Sequence, residues 1–125
     1  MVQIKAIKKW NQTPYLLTKD KRYKFSATGQ WIDWYITTDA KGFEKIWLKP
    51  FEPLRRFPNA KWFSLIGAID RDRSTQFDIG LLVDNQKTYI ATKNGILYCF
   101  ANDVSLAYSN NKGSIDLKVE EVEEK

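Results

Sequence analysis

An oxygen-rich segment between two apolar stretches is the part of this sequence best suited to chemistry. Residues 102–113 read N-D-V-S-L-A-Y-S-N-N-K-G. Calcium is a hard cation that binds six to eight oxygens from carboxylates, amides and backbone carbonyls. Asp103, Asn110 and Asn111 would supply half of such a shell if the segment curls back on itself. The alternative, which composition alone favours, is that these residues only form turns, because their side chains hydrogen-bond the nearby backbone.

Two tryptophans form a second segment that suits ligand contact. Trp31 and Trp34 lie in W-I-D-W-Y, residues 31–35. Tryptophan faces are flat apolar platforms that suit sugar rings or bases. The alternative is that they fill the protein core. We favour the core for Trp31, which falls in a strand-like stretch, and leave both interpretations open for Trp34.

The composition excludes several classes of enzyme. The 125 residues include no His and one Cys, Cys99, which excludes Ser-His-Asp and Cys-His catalysis, His-ligated zinc and an internal disulfide. The six glycines lie too far apart for a P-loop or a dinucleotide-binding motif. Asp103 with Asp116 and Lys118 loosely fits a metal-dependent nuclease, but any amphipathic strand shows the same alternation as residues 115–119. We therefore predict that the protein is not an enzyme.

The elements that position these residues are predicted to be strands. Apolar and polar residues alternate with a period of two in residues 2–6, 22–28 and 115–120, which is typical of half-buried strands. Residues 64–69 and 77–83 are more continuously apolar and predict buried strands. Turn-forming clusters recur at short intervals, and no long amphipathic helix is predicted. This pattern predicts an all-β fold, an antiparallel β-sandwich or barrel.

Two further segments complete the prediction of the fold. Residues 88–91 and 96–101 are separated by T-K-N-G and predict a β-hairpin. Residues 37–61 hold three of the four prolines and predict a long loop, which is usually functional in a compact domain. We predict a single domain over residues 1–119 and an acidic tail over residues 120–125.

The net charge of +5 arises from 20 Lys and Arg against 15 Asp and Glu. The basic residues are spread along the chain, which favours a solvated basic surface over a nucleic-acid site, though nucleic acid stays a weaker alternative. The sequence starts without a signal-like apolar run, and no stretch is long enough to span a membrane. We therefore predict a cytoplasmic protein, with non-classical release left open. Cys99 lies in an apolar stretch and is predicted to be a core residue.

The sequence resembles the LecA-type family of small, galactose-binding, calcium-dependent bacterial lectins. The likeness is most specific in N-D-V-x-x-x-Y-x-N-N-x-G-S, residues 102–114. It covers most of residues 2–120 in order. The other similar pieces are K-D-K-R-Y-K-F-S-A-T-G-Q-W at 19–31, L-I-G-A-I at 65–69, I-G-L at 79–81 and N-G-I-L at 94–97.

This resemblance implies a jelly-roll-like β-sandwich of the galactose-binding-domain type, with one Ca²⁺ at one end that also binds two sugar hydroxyls. It implies a carboxylate ligand at Asp103 and amide ligands at Asn110 and Asn111. It also implies backbone carbonyl ligands at Ala107 and Trp34. The contacts with carbohydrate that it implies fall on Asp103, Val104, Asn110 and Trp34.

The sequence departs from the family in the long loop. The family holds galactose with a His and a Gln there, whereas residues 47–56 read W-L-K-P-F-E-P-L-R-R. We therefore predict a calcium-dependent, carbohydrate-binding, lectin-like protein and leave the sugar open. Weak single sites of this kind usually act through multivalency, so a homo-oligomer is also left open. The alternative is a protein- or nucleic-acid-interaction module on the same fold with a degenerate sugar site.

Overall fold

Two antiparallel sheets enclose one main hydrophobic core, which confirms the predicted all-β sandwich. The computed structural model describes residues 1–123. One sheet has five strands in the order β1-β9-β3-β4, with β7 also paired to β3, and the other has the order β2-β8-β5-β6. The strands are β1 (Val2–Lys5), β2 (Asn11–Leu17), β3 (Arg22–Asp33), β4 (Ile36–Thr38), β5 (Leu65–Ile69), β6 (Phe77–Asp78), β7 (Tyr89–Ile90), β8 (Gly95–Ala101) and β9 (Asn111–Val122).

The alternation of side chains along the strands builds the core. Ile115 and Leu117 of β9 are fully buried, while Asp116 and Lys118 face solvent. Trp31 is also fully buried, and its indole Nε1 donates to the Phe63 carbonyl at 3.1 Å. The core interpretation of Trp31 is therefore confirmed. Cys99 is buried in the same core, and burial raises the pKa of its thiol above the ordinary range.

The longest strands, β3 and β9, pair over twelve positions from Arg22↔Val122 to Asp33↔Asn111. Because the pairing is antiparallel, the end of β3 and the start of β9 meet at the same end of the sandwich. β4 extends this end of the sheet through its pairing with Trp31, Ile32 and Asp33. The register therefore fixes which residues gather there.

The predicted strand over residues 77–83 is wrong beyond Asp78. The chain turns instead into a short helix, α1 (Ile79–Asn85). The Asp78 side chain caps this helix by accepting from the Leu81 N–H. Gly80 lies so close to the Ala40 carbonyl that a Cβ would stand 2.0 Å from its oxygen. An apolar run of this length fits a buried strand or a buried helix equally well, and the cap and the close contact decide between them.

The predicted hairpin of residues 88–91 with 96–101 is also wrong. β7 pairs with β3 in the five-stranded sheet, whereas β8 lies between β2 and β5 in the other sheet. The T-K-N-G turn therefore carries the chain from one sheet to the other. Its Asn94 side chain accepts from the Lys19 N–H at 2.7 Å, which ties the turn to the β2–β3 connection.

The long loop contains ordered structure. Residues 46–54 form a 3₁₀ helix with Pro50 and Pro53 inside it, and none of its residues is buried. At the other end of the chain, β9 continues to Val122, so the predicted boundary at residue 119 falls inside the strand. The acidic Glu120 pairs with Lys24, and this opposition of charges favours the extension of the strand. The last two residues of the predicted tail lie outside the described residues.

Among residues 1–123 there is no helix with the length and apolar character that a membrane span requires.

Candidate functional site

A cleft of about 330 Å³ opens at the end of the sandwich where β3 and β9 meet. Its lining combines oxygen-bearing side chains with a wall of apolar ones. Four parts of the chain contribute residues to the cleft: the β3–β4 turn, the 3₁₀ helix, the segment just before β5 and the 103–110 loop. The lining residues are Asp33, Trp34, Ile36, Trp47, Leu48, Phe51, Leu54, Trp62, Asp103, Val104, Ala107 and Asn110.

The β3–β9 register places Asp33 and Trp34 against Asn110 and Asn111. Asp33 and Asn111 are directly opposed, and the Trp34 N–H donates to the Asn110 carbonyl at 3.2 Å. Trp34 has φ of 56°, in the left-handed region that favours glycine. This conformation turns the chain sharply from β3 into β4. The indole of Trp34 is left 64% exposed.

The 103–110 loop curls back on itself, as the calcium hypothesis requires. The Ala107 N–H donates to the Val104 carbonyl at 2.9 Å, and residues 108–110 form a 3₁₀ turn. Asp103 Oδ1 accepts from the Val104 N–H at 2.7 Å. Tyr108 is buried and donates its hydroxyl to the Ala101 carbonyl at 2.5 Å, which closes the loop against the end of β8. The loop therefore has a fixed shape.

Asn102 holds the long loop to the same corner. Its side-chain nitrogen donates to the carbonyls of Phe57, Ala60 and Lys61 at 2.9–3.1 Å. Its side-chain oxygen accepts from the Phe57 N–H at 2.9 Å. The residue is completely buried. The Asn102 side chain therefore positions residues 57–61, which follow the 3₁₀ helix. Because Asp103 is the next residue after Asn102, this segment is held beside the candidate site.

Arg56 packs the long loop onto the sandwich from outside. Its guanidinium lies 3.5 Å from the ring centroid of Phe100 and 4.7 Å from that of Trp10. It donates to the Tyr108 hydroxyl at 2.8 Å, and the Arg56 N–H donates to the Asp103 carbonyl at 3.1 Å. This basic residue of the loop is therefore engaged in packing.

Two buried oxygens of the site have no hydrogen-bond partner within residues 1–123. They are Asp103 Oδ2 and Asn111 Oδ1. The Asn111 amide nitrogen donates to the Ala6 carbonyl at 3.1 Å, which fixes the orientation of the amide. A buried acceptor without a partner costs about 1–3 kcal/mol. Both atoms are of the type that hard cations bind, so the donor set fits calcium.

The two carboxylates of the site disfavour each other's charge. Burial, together with the smaller effect of the Asp103 charge, raises the pKa of Asp33 to about 7. Burial also raises the pKa of Asp103, against the lowering effect of the hydrogen bond from the Val104 N–H and of the nearby Asn111 amide. Two adjacent carboxylates with raised pKa values form a site in which a bound cation replaces unfavourable repulsion by attraction.

The structure brings together the residues that the sequence singled out. Asp103, Val104, Ala107, Asn110 and Trp34 line one cleft. Asn111 is paired with Asp33, which also lines the cleft. Within residues 1–123 no three acidic or Cys side chains come together as a metal-binding group. A cation here would therefore need the amide and backbone oxygens as well as the carboxylates.

Sequence reasoning missed Asp33, which has no informative spacing to the other acids. The register of β3 against β9 identifies it, because Asp33 is the antiparallel partner of Asn111 and therefore lies beside the site. The position of the aromatic residues of the long loop in the cleft could not be predicted, since it depends on the fold of residues 46–54. The nuclease interpretation is not supported by position. Asp116 lies five residues along β9 from Asn111 and therefore about 17 Å away.

Comparison with known proteins supports the architecture. A solved structure described as "EclA N-terminal domain; PllA-like lectin" matches with a TM-score of 0.68 at 13% sequence identity, over 97% of this chain and 94% of that chain. No family model matches the sequence. No curated protein matches it either. At this level of identity the likeness establishes the fold: the chain is a β-sandwich of the type found in that lectin domain, while membership of the LecA-type family stays a prediction.

Proposed function

We propose that this protein is a calcium-dependent, carbohydrate-binding protein of the lectin type. The observation that carries the proposal is the pair of buried, unpartnered oxygens, Asp103 Oδ2 and Asn111 Oδ1, beside a second carboxylate, Asp33. Each unpartnered buried acceptor costs stability, and a bound cation would offset both costs at once. The structural similarity to a lectin domain adds support at the level of the fold.

The residues that would hold the cation follow from the donor set. Asp103 and Asn111 supply the two unpartnered oxygens, and the exposed amide of Asn110 supplies a third. Trp34 and Ala107 line the same cleft, and their backbone carbonyls would complete the shell. Asp33 contributes a second negative charge, so that the charge of a divalent cation is balanced within the site.

Bound calcium would supply open coordination positions that favour a pair of hydroxyl oxygens. Asp103 and Asn110 would also hydrogen-bond these hydroxyls, which would make the site sensitive to sugar stereochemistry. Val104 lines the cleft, but its N–H already donates to Asp103 Oδ1. Its side chain is therefore the part that remains for contact with a sugar.

Calcium titration followed by thermal unfolding tests the proposal. Ca²⁺ at 100 times its Kd should raise the free energy of unfolding by about 2.7 kcal/mol, and EDTA should reverse the effect. Mg²⁺ should act more weakly, because it demands octahedral geometry and gives up its waters reluctantly. A glycan array with and without EDTA should then show binding that depends on calcium.

Asp103→Asn and Asp116→Asn form a matched pair for this test. Both remove one carboxylate, but Asp116 is exposed on β9 and outside the cleft. Asp103→Asn should lose the calcium-induced stabilisation and the array signal, and Asp116→Asn should keep both. Equal behaviour of the two variants, or the absence of any shift with millimolar Ca²⁺ in the unmodified protein, would contradict the proposal.

The nucleic-acid interpretation stays a prediction from composition. Phosphate groups would meet the carboxylates of Asp33 and Asp103, which line this cleft, and this repulsion disfavours the cleft as their site. Nucleic-acid binding elsewhere on the basic surface would weaken steeply with salt and would be indifferent to EDTA and to Asp103→Asn. The cytoplasmic location and the homo-oligomer also stay predictions.

A further inference from the structure

A buried arginine carries a charge that its surroundings do not neutralise. Arg55 directly follows the 3₁₀ helix and is only 7% exposed. Its Nε and Nη1 are buried and have no hydrogen-bond partner within residues 1–123. In the same part of the chain it forms no ion pair with any carboxylate. A buried charge without an opposite charge is costly, so this guanidinium favours the arrival of an anion.

Arg55 lines a second cavity, of about 200 Å³, which shares no lining residue with the cleft of the candidate site. Neighbouring residues of the long loop line the two cavities. Leu54 lines the cleft and Arg55 the second cavity, while Trp62 lines the cleft and Lys61 the second cavity. A water molecule occupies about 30 Å³ in the liquid, so the second cavity has room for roughly six or seven non-hydrogen atoms. A carboxylate or sulfate group with a few attached atoms is of this size.

We propose that the second cavity binds a carboxylate or another singly charged oxyanion through Arg55 and Lys61. A guanidinium offers several N–H donors in one plane, which suits an oxyanion better than a single point charge does. The exposed ammonium group of Lys61 adds a second positive charge at the same cavity. This site uses none of the residues assigned to calcium, so the inference does not depend on the proposed function.

The other charges of the cavity indicate that the anion carries one charge. Glu44, Asp78 and Asp84 also line the cavity, and Lys41 lies 3.7 Å from Asp84. Asp78 Oδ1 already accepts from the Leu81 N–H at 3.0 Å. Counting Arg55, Lys61 and Lys41, the lining carries three positive and three negative charges. A doubly charged phosphate would therefore meet more repulsion here than a carboxylate.

The arginine is already held in place for such a ligand. Its Nη2 donates to the Pro58 carbonyl at 2.6 Å, and its guanidinium lies 5.3 Å from the ring centroid of Trp62. The Arg55 backbone also forms a β-bridge with Val104. These contacts reduce the side-chain freedom that would otherwise be lost on binding.

An NMR titration in EDTA tests the inference. The probes are acetate, methyl glucuronide, inorganic phosphate and the uncharged methyl glucoside, at a constant ionic strength of about 0.15 M, where the Debye length is about 8 Å. Acetate and methyl glucuronide should give saturable shifts of the backbone amides of residues 55–61. Methyl glucoside should give none, and phosphate should bind more weakly than acetate. Tighter binding of methyl glucuronide than of acetate would identify an acidic sugar as the ligand, and equal binding would identify a small free carboxylate.

Three exposed positions provide the variants. Lys61→Gln should weaken acetate binding about two- to fivefold, and Glu44→Gln should strengthen it by a similar factor. Lys45→Gln removes a charge beside Glu44 but outside the cavity and should change nothing. Arg55→Gln should abolish the saturable shifts. Because the three exposed substitutions should not disturb folding, they keep the test valid if Arg55→Gln is unstable.

The outcomes separate this inference from the proposed function. No saturable shift at residues 55–61 with either carboxylate would overturn the anion site, whatever calcium does. Equal effects of Lys61→Gln and Lys45→Gln, with no gain in Glu44→Gln, would also overturn it, because they would indicate a response to overall charge only. Carboxylate binding that persists in EDTA, in a protein that shows no thermal shift with Ca²⁺, would support this site and contradict the proposed function alone.

Discussion

Asp33 and Asn111 lie directly opposite each other in the antiparallel pairing of β3 with β9. Asp33 has no informative spacing to the other acids in the sequence, but the register sets its carboxylate against the Asn111 amide at the end of the sandwich where the cleft opens. Asp103 joins them from the β8–β9 loop, and burial together with the Asp103 charge raises the pKa of Asp33. Three separate parts of the chain therefore converge on one oxygen-rich point. This convergence is the basis of the predictions that follow.

Asp103→Asn should leave the metal-free protein as stable as the unmodified protein, or more stable. The substitution keeps the shape of the side chain and removes the repulsion with Asp33 as well as the cost of burying a charge. Urea unfolding in EDTA at pH 8 measures this free energy. A structural role for the Asp103 charge predicts the opposite, a loss of stability in EDTA, and that result would contradict the assignment of Asp103 to a cation site.

The metal-free protein should lose stability as pH rises from about 4 to about 7. Asp33 has a pKa of about 7 in the folded state against an ordinary value of 3.8. In this range the folded state binds a proton that the unfolded state has released, so the slope of stability against pH is negative. Above pH 8 the contribution should be constant.

Asp33→Asn should flatten this pH dependence, and Asp116→Asn should not. The measurement is urea unfolding in EDTA at pH values from 4 to 8, compared with the unmodified protein. Since protons and calcium compete for the same carboxylates, calcium affinity should fall as pH drops below about 7. An unchanged slope in Asp33→Asn would show that the protonation of this carboxyl is not linked to folding.

Asn102→Ala should destabilise the protein by about 2–4 kcal/mol, because four hydrogen bonds are lost and buried backbone groups of the long loop are left without partners. Asn59→Ala, at an exposed position of the same loop, should change stability by less than about 0.5 kcal/mol. Urea unfolding measures both. Similar effects of the two substitutions would indicate that the loop is not held to the sandwich by Asn102.

Arg56→Lys should cost about 1–3 kcal/mol despite the retained charge. Lysine has no planar group to stack on Phe100 and Trp10, and it cannot reproduce the hydrogen bonds to the Lys9 carbonyl and the Tyr108 hydroxyl. Arg73→Lys is the matched control at an exposed position. Thermal unfolding compares the two variants, and equal melting temperatures would rule out a specific role of the guanidinium.

The sandwich itself was predictable because its strands are half buried. In β3 and β9 the period of two appears directly in the sequence, since one face meets the core and the other meets water. The helix over residues 79–85 was not predictable in this way. Its apolar run has no exposed face to set a period, and the choice of helix depends on contacts of Gly80 with a distant segment.

The site was predictable only where its residues lie close in the chain. Asp103, Asn110 and Asn111 share one loop, so their spacing carried information. Asp33 is brought in by strand register, and Trp47 by the folding of a proline-containing loop. Both depend on long-range packing that no local pattern encodes, and neither could be assigned before the fold was known.

The tryptophans of the cleft make its occupancy measurable by intrinsic fluorescence. Three of the five tryptophans, Trp34, Trp47 and Trp62, line it, whereas Trp31 is fully enclosed in the core. Trp34 and Trp47 are at least half exposed, so their emission shifts when a ligand excludes water, while the emission of the buried Trp31 and Trp62 changes less. Occupancy of this site can therefore be followed by intrinsic fluorescence, without a label and before the natural ligand is known.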